Sequence, residues 1–334
     1  MEDLRATVRR VLRENSTLKA SKEELIAAVY RAAKDAASSL TIPPVPKVPK
    51  DRRGKGAETA IAILSDWQLA KVTPNYSSQV CEQRIEDYAA RVRKLVSIQR
   101  ADHPVRECRV YLLGDIVEGE QIFPGQAWRI DASLFAQTME TGPRILGNLL
   151  RALAADFERV HVVGVIGNHG QIGGRGWKDV HPETNADAFL YEATRIYLSG
   201  EPRITWAPVV TRGERHWYAT DTIGKKNFLL FHGNQVKGYN GVPWYGFDRK
   251  VKGYALMLER FFGEQRIDYA VSGHFHTPFR EYINGVTHWG SGSTESMNTY
   301  AAEQLASGGE PSQWLLFCHP EHGVTAEYLV HLEP

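Results

Sequence analysis

From residue 58 onward the sequence predicts an α/β fold. Two patterns predict it: apolar strand-like runs alternate with amphipathic helical runs, and the strands deliver a polar residue at their C-terminal ends. Size is a third indication, because 334 residues of which 43% are hydrophobic and 10% aromatic suffice to bury a large core.

ETAIAILSD (58–66) reads as a strand ending at Asp66. CEQRIEDYAARVRKLVSIQRA (81–101) reads as a helix with Ile85, Tyr88, Ala89, Val92 and Val96 on one face. ECRVYLLGD (107–115) is a second strand ending at Asp115, TGPRILGNLLRALAADF (141–157) a second helix, and ERVHVVGVIGNH (158–169) a third strand. This βαβαβ order predicts helices on both faces of a buried sheet. Later, KKNFLLFHG (225–233) and DYAVSGHFH (268–276) repeat the pattern of an apolar strand running into His, and VTHWGSGS, QWLLFCHP and VTAEYLVHLEP read as closing strands.

The first 57 residues differ. Leu4, Val8, Val11 and Leu12 share a helical face, and Ser21 with Glu24 has capping-box spacing ahead of a second apolar stripe. Residues 1–40 are therefore expected to form a helical arm, followed by a stiff Pro/Lys-rich linker at 41–57 and a catalytic domain at 58–334. The arm either binds DNA or a protein partner, including a second copy of the chain, or docks on the main domain. The formal net charge of +1 divides into +6 over residues 1–56 and −5 over the rest. The total gives no general footprint for a polyanion.

Several locations are disfavoured. No run of about 18 apolar residues occurs, which argues against a helical membrane span. MEDLRATVRRVLREN is charged throughout and lacks the apolar centre of a secretory signal. Three widely spaced cysteines, Cys81, Cys108 and Cys318, make neither a disulfide framework nor a metal knuckle. A cytoplasmic location is expected.

The chemistry concentrates at the strand ends: Asp66 in SDWQ, Asp115 in GDIVEG, Asn168 and His169 in GNHG, His232 in FHGN, and His274 with His276 in GHFH. Ligand sites of α/β proteins form beyond the carboxyl ends of strands. Carboxylates, an amide oxygen and imidazoles together suit first-row divalent metals.

This set, D-x-(H/Q), GD-x-x-(D/E), GNH, H and GHxH, resembles that of the calcineurin-like metallophosphoesterases over residues 58–332. The resemblance implies a four-layer αββα sandwich with two metal ions at the strand ends. It implies that Asp115 bridges the metals, that Asp66, His276 and the residue at 68 complete one site, and that Asn168, His232 and His274 complete the other. His169 would stand near the leaving group as its acid, with Asp115 and Asn168 beside it in the catalytic set. GEQIFPGQ and HGNQVKGYNGVP are similar to segments of bacteriophage-encoded, exonuclease-like members.

Two positions depart from the motif. Position 68 is Gln, a weaker neutral ligand, which either favours Mn or Mg over Zn or touches the ion only through water. Gly170 replaces the acid that commonly follows GNH, so His169 needs another partner, Glu118 or Asp179. Two divalent ions are expected, Mn foremost, with Mg, Fe or Zn as alternatives.

For the substrate, Arg175, Trp177 and Lys178 lie in a Gly-rich loop suited to clamping phosphate. Arg129, Lys237, Arg249 and Lys250 are interleaved with Trp67, Phe123, Trp128, Tyr239, Trp244 and Tyr245, the mixture used for stacking single-stranded bases. A DNA exo- or endonuclease is the leading expectation. A phosphatase or cyclic phosphodiesterase for small molecules or phosphoproteins is the alternative, and a non-catalytic module retaining the fold is a third class.

Overall fold

Side-chain alternation along the central strands sorts the core into layers. In β1 (Glu58–Leu64), Ala60, Ala62 and Leu64 pack into one hydrophobic cluster, while Ile61 and Ile63 enter another. The same parity holds in β2 (Val105–Leu112) and β3 (Arg159–Gly164), where Val110 and Val162 face the first cluster and Tyr111 and Val163 the second. A strand buried on both faces needs no polar face, which is why these segments read as nearly continuous apolar runs.

The structure, a computed structural model, describes residue 31 and residues 44–48, 56–172, 184–207, 217–238, 241–261, 263, 265–295 and 310–332. The helices expected in the arm, and the loop with Arg175, Trp177, Lys178 and Asp179, lie outside the described residues, as does Tyr239.

One sheet has six strands, in the order β11-β10-β1-β2-β3-β4, with β4 at Ile204–Trp206, β10 at Ser312–His319 and β11 at Gly323–His331. Strands β1 to β4 run parallel, and β10 and β11 close the other edge antiparallel. The second sheet has the order β5-β6-β7-β9-β8, from β5 (Tyr218–Ile223), β6 (Lys226–Phe231), β7 (Tyr269–Ser272), β8 (Phe279–Ile283) and β9 (Val286–Gly290). Here β6, β7 and β9 are parallel.

Helices α1 (Ser78–Gln99), α2 (Gly142–Ala154) and α3 (Ala186–Tyr197) cover the outer face of the first sheet through the first cluster. Ser77 caps α1 by accepting from the Val80 amide, and Cys81, Ile85, Tyr88, Ala89, Val92 and Val96 form its buried stripe. The second cluster joins the sheets, with Ile63, Tyr111 and Val163 against Phe228, Leu230 and Val271. Leu229, Phe231 and Ala270 point the other way, against Phe247, Val251 and Leu258 of α4 (Trp244–Phe261). The layers are helix, sheet, sheet, helix, the four-layer sandwich that the resemblance implies, so the first sheet carries helices on one face only and the second sheet covers the face where the βαβαβ order predicts more helices.

A π turn at Gln137–Thr141 leads into α2, three residues shorter at its C-terminal end than the periodicity predicts. Within the segment read as linker, Val45 packs against the first cluster, and the Val45 and Pro46 carbonyls accept hydrogen bonds from Arg203 (3.2 and 3.0 Å). The three cysteines are buried free thiols. Burial pushes Cys81 up to about 11 and Cys108 and Cys318 up to about 12, so none is a ready nucleophile. Among the described residues no helix is long and apolar enough to cross a membrane.

Candidate metal centre

Parallel strands β1, β2 and β3 end before Asp66, Asp115 and Asn168, while β6 and β7 end before His232 and His274. The backbone turns sharply there. Asp66, Gln68, Asp115, His274 and His276 all have positive φ, between 45° and 75°. For residues other than glycine that region carries strain of about 1–3 kcal/mol each, and it persists only where the surroundings dictate it. Here the Asp66 amide donates to the Gly114 carbonyl (3.1 Å), the Gln68 amide to the Asp115 carbonyl (3.0 Å), and Ser293 Oγ to the Asp66 carbonyl (2.6 Å).

Two glycines make the crowding possible. A Cβ at Gly167 would lie 2.1 Å from Asp115 Oδ1, and one at Gly273 would lie 1.9 Å from Ser65 Oγ. The glycines that precede Asn168 and His274 in the motifs therefore leave room for the neighbouring carboxylate loops.

Asp115, His232 and His274 each offer a ligand atom, and these atoms lie within 4.8 Å of one another. His232 Nδ1–H donates to the Leu113 carbonyl (2.7 Å), which turns Nε2 toward Asp115 Oδ2 (2.9 Å) and Asn168 Oδ1 (3.1 Å). A ring nitrogen facing two oxygen acceptors needs a positive charge between them, either a proton or a metal ion. Burial opposes the charged ring, yet Asp115 and Asp66 outweigh it and push His232 up to about 9. Burial and the nearby His232 instead drive His274 down to about 4, so that imidazole is neutral. Burial also opposes ionisation of Asp115, and His232 and His169 overcome it, holding the carboxyl well below the usual range.

A second group stands near Asp115. Asp66 is fully buried; its Oδ2 accepts from Ser65 Oγ (2.5 Å) and the His274 amide (2.9 Å), while Oδ1 lies 3.3 Å from His276 Nε2 and accepts no hydrogen bond from the described residues. A buried carboxylate oxygen left without a donor suits a cation. Gln68 is beside it, but its Nε2 is the atom 3.2 Å from His276 Nε2; its Oε1 accepts from Lys71 Nζ (2.6 Å). The amide oxygen expected to ligate thus faces Lys71. The remaining donors, carboxylate, carboxamide and imidazole, are of the kinds that hold divalent cations.

His169 donates its amide to Asp115 Oδ1 (2.7 Å), and its Nδ1 lies 3.0 Å from the carbonyl and 3.2 Å from Oε2 of Glu118. Both neighbours are acceptors, so Nδ1 carries a proton. Of the two partners considered for His169, Glu118 is in contact with it, and Asp179 lies outside the described residues. Glu118 is itself held by Gln126 Nε2 at Oε1 (2.9 Å) and at its carbonyl (2.8 Å). Burial depresses His169, but Asp115 and Glu118 outweigh it and push the ring up to about 10.

Several supporting residues escape the motifs. Asp187, fully buried in the first turn of α3, accepts from the amides of Asp115 (3.0 Å), Ile116 (3.0 Å), Val117 (3.2 Å) and Gly167 (2.8 Å), tying the Asp115 and Asn168 loops together. Burial and Asp115 push its carboxyl up to about 6, against the peptide donors that favour the anion. Under the second sheet, Ser272 Oγ contacts His288 Nε2 (2.9 Å), whose Nδ1 contacts Glu281 Oε1 (2.9 Å). That order matches a nucleophilic triad, but Ser272 and His288 are fully buried, so it is a tether beneath the His274 loop. Asn185, which caps α3, marks a helix start in the sequence, but nothing there shows Asp187 folding back.

Trp67, read among the loop rings suited to stacking bases, is instead completely buried in the helix-side cluster. Its neighbours are polar because they serve the site, and its ring turns to the opposite side. Trp128 (92% exposed), Trp244 and Tyr245 are open to solvent.

No protein-family model matches the chain, and no curated protein matches it in sequence. Solved structures with a similar fold include Vps29 from Cryptosporidium parvum (13% identity, 82% of this chain and 99% of that one, TM-score 0.39). Another is Vps29 from Entamoeba histolytica in complex with zinc (14%, 82% and 99%, TM-score 0.35). A third is an archaeal phosphodiesterase (12%, 81% and 99%, TM-score 0.34).

Proposed function

We propose that the chain is a metal-dependent phosphoesterase that hydrolyses phosphodiesters, with DNA as its substrate. The observation that carries this reading is the convergence of Asp115, Asn168, His232 and His274 on one point, with Asp66 and His276 paired near Asp115 and His169 hydrogen-bonded to Asp115 itself.

Divalent cations, manganese foremost, would be held by Asp115, Asn168, His232 and His274 and by Asp115, Asp66 and His276; when bound they polarise phosphoryl oxygens and acidify water. The chain's own groups do the rest. Asp115 is a shared anion, and the imidazoles add donors without negative charge that would repel phosphate. His169, with Nδ1 fixed by Glu118, holds the proton for the departing alkoxide on Nε2. Bound dications would share the charge of Asp115 and bring His169 back toward neutrality, where proton transfer is efficient.

The nucleic-acid reading is supported by the segment after Asp115. Gln126 is bonded to Glu118, the Arg129 carbonyl accepts from the Val72 amide (2.9 Å), and Ile130 pairs with Lys71. Trp128 therefore stands exposed on a segment tied to both sides of the site, beside the exposed Arg129, a combination suited to a base and its phosphate.

The test is manganese-dependent turnover on a generic phosphodiester, a phosphomonoester, and single- and double-stranded DNA, measured side by side. Turnover of DNA and the diester is expected. Turnover of the monoester alone would make the chain a phosphatase, and none with any substrate would make it a binding module.

A further inference from the structure

Lys71 and Glu295 belong to none of the sequence motifs, yet both face the Asp66–His276 group. The Lys71 ammonium donates to Gln68 Oε1 (2.6 Å) and pairs with both oxygens of Glu295 (2.7 Å each). Glu295 is 5% exposed, and its Oε2 also lies 3.5 Å from His276 Nδ1. A tight turn fixes this arrangement, for the Lys71 amide donates to the Gln68 carbonyl (3.0 Å) and Ala70 has a φ of 83°.

The consequences for the two sides of Asp115 differ. On the His232 side the ligating atoms are freed by bonds elsewhere: His232 spends Nδ1–H on a main-chain carbonyl, and Nε2 remains available. On the Asp66 side the carboxylate–imidazole contact of Glu295 likewise orients His276 with Nε2 toward Asp66. Gln68 is the exception, because its only oxygen donor atom is engaged by a cation.

We propose that Lys71 makes the two metal positions unequal. By holding the Gln68 oxygen and neutralising Glu295, it leaves the Asp66 side with Asp66, His276 and the shared Asp115 as protein ligands, so this position fills second and weakly. The Asp115–Asn168–His232–His274 position fills first. Lys71 is thus a positioning residue that sets the affinity of the second ion. The inference rests on the metal-dependent reading above.

Calorimetric titration of the metal-free full chain with manganese(II) chloride tests it. The wild type is expected to take up one equivalent tightly and a second about ten-fold or more weakly, the scale by which groups behind a ligand alter metal affinity. Lys71→Met should tighten only the weaker equivalent, by about ten-fold, as the Gln68 oxygen and Glu295 are released. Lys71→Arg, which keeps the charge, should retain the weak step. Gln68→Ala should leave the weaker equivalent unchanged, and it decides the matter should Lys71→Met melt well below wild type. Two equivalents of equal affinity, or loss of the second ion in Gln68→Ala, would overturn the inference while leaving the metal-dependent reading intact. Absence of manganese binding to the wild type would overturn that reading as well.

Discussion

The motif residues that the first sheet brings to the site are Asp66, Asp115, Asn168 and His169, chiefly acid and amide oxygen, whereas those of the second are the imidazoles His232, His274 and His276. Each set has its own buried support. Asp187 reaches from the helix layer to gather four peptide amides under the acid loops, and Glu281, through His288, steadies Ser272 under the imidazole loop. The candidate site forms where the two sets meet, so the apolar layer between the sheets, with Tyr111 against Phe228, holds it together.

The sharpest way to break this pairing is at Asp115, the acid that the proposed function assigns to both groups. Asp115→Asn keeps a residue tolerant of positive φ but removes the anion, and turnover should fall on the order of 10⁴-fold, with manganese uptake lost in calorimetry. Unchanged uptake would mean that the two groups do not share Asp115. Next in size is His169→Ala, expected to lose about 10²–10⁴-fold in turnover, most with poor leaving groups, while retaining metal. A uniform loss across leaving groups would remove its role as acid.

Asp187→Asn tests the support of the acid sheet. With an amide in place of the anion, some of the peptide donors lose their acceptor, and stability should fall by about 1–3 kcal/mol in urea unfolding. Metal affinity should drop by about 10–100-fold; a stability loss without it would separate the brace from the site.

The imidazole side is tested by pH. Burial holds His288 below its usual value, against the pull of Glu281. Below about 6.5 the unfolded chain takes up a proton that the folded chain resists, so stability is full above that pH and declines as pH falls, by at most about 1.4 kcal/mol per unit. Urea unfolding of metal-free protein between pH 5 and 7.5 should show a steeper decline for wild type than for His288→Gln. Equal slopes would mean that the tether does not titrate as a buried neutral ring.

The same contrast explains what could be read from the sequence. Strands β1, β2 and β3, buried on both faces, announce themselves as apolar runs leading to Asp or Asn, and the β6 and β7 runs lead to His. Strands β5 and β8, YATDTI and FREYI, were not distinguished because they are the half-exposed edges of the second sheet and carry polar residues on their open face. Helix α4 carries Gly246 and Gly253, which blur its period. Within the site, first-line donors sit at recognisable strand ends, but Asp187, Lys71 and Glu295 act from a helix turn and two loops whose local sequence carries no sign of where the chain will return. Trp67 misled for a related reason, since polar neighbours in sequence do not fix which side a ring takes.

The left-handed turns at the ligand positions have a consequence for heritable change. A glycine at 276 would relax a backbone held at a φ of 54° by about 1 kcal/mol while discarding an imidazole that is partly exposed to solvent. His276→Gly is therefore expected to melt at a higher temperature than the wild type and to lose its second ion. In a lineage released from selection for catalysis, these positions would drift toward glycine and asparagine, and the fold would outlast its chemistry.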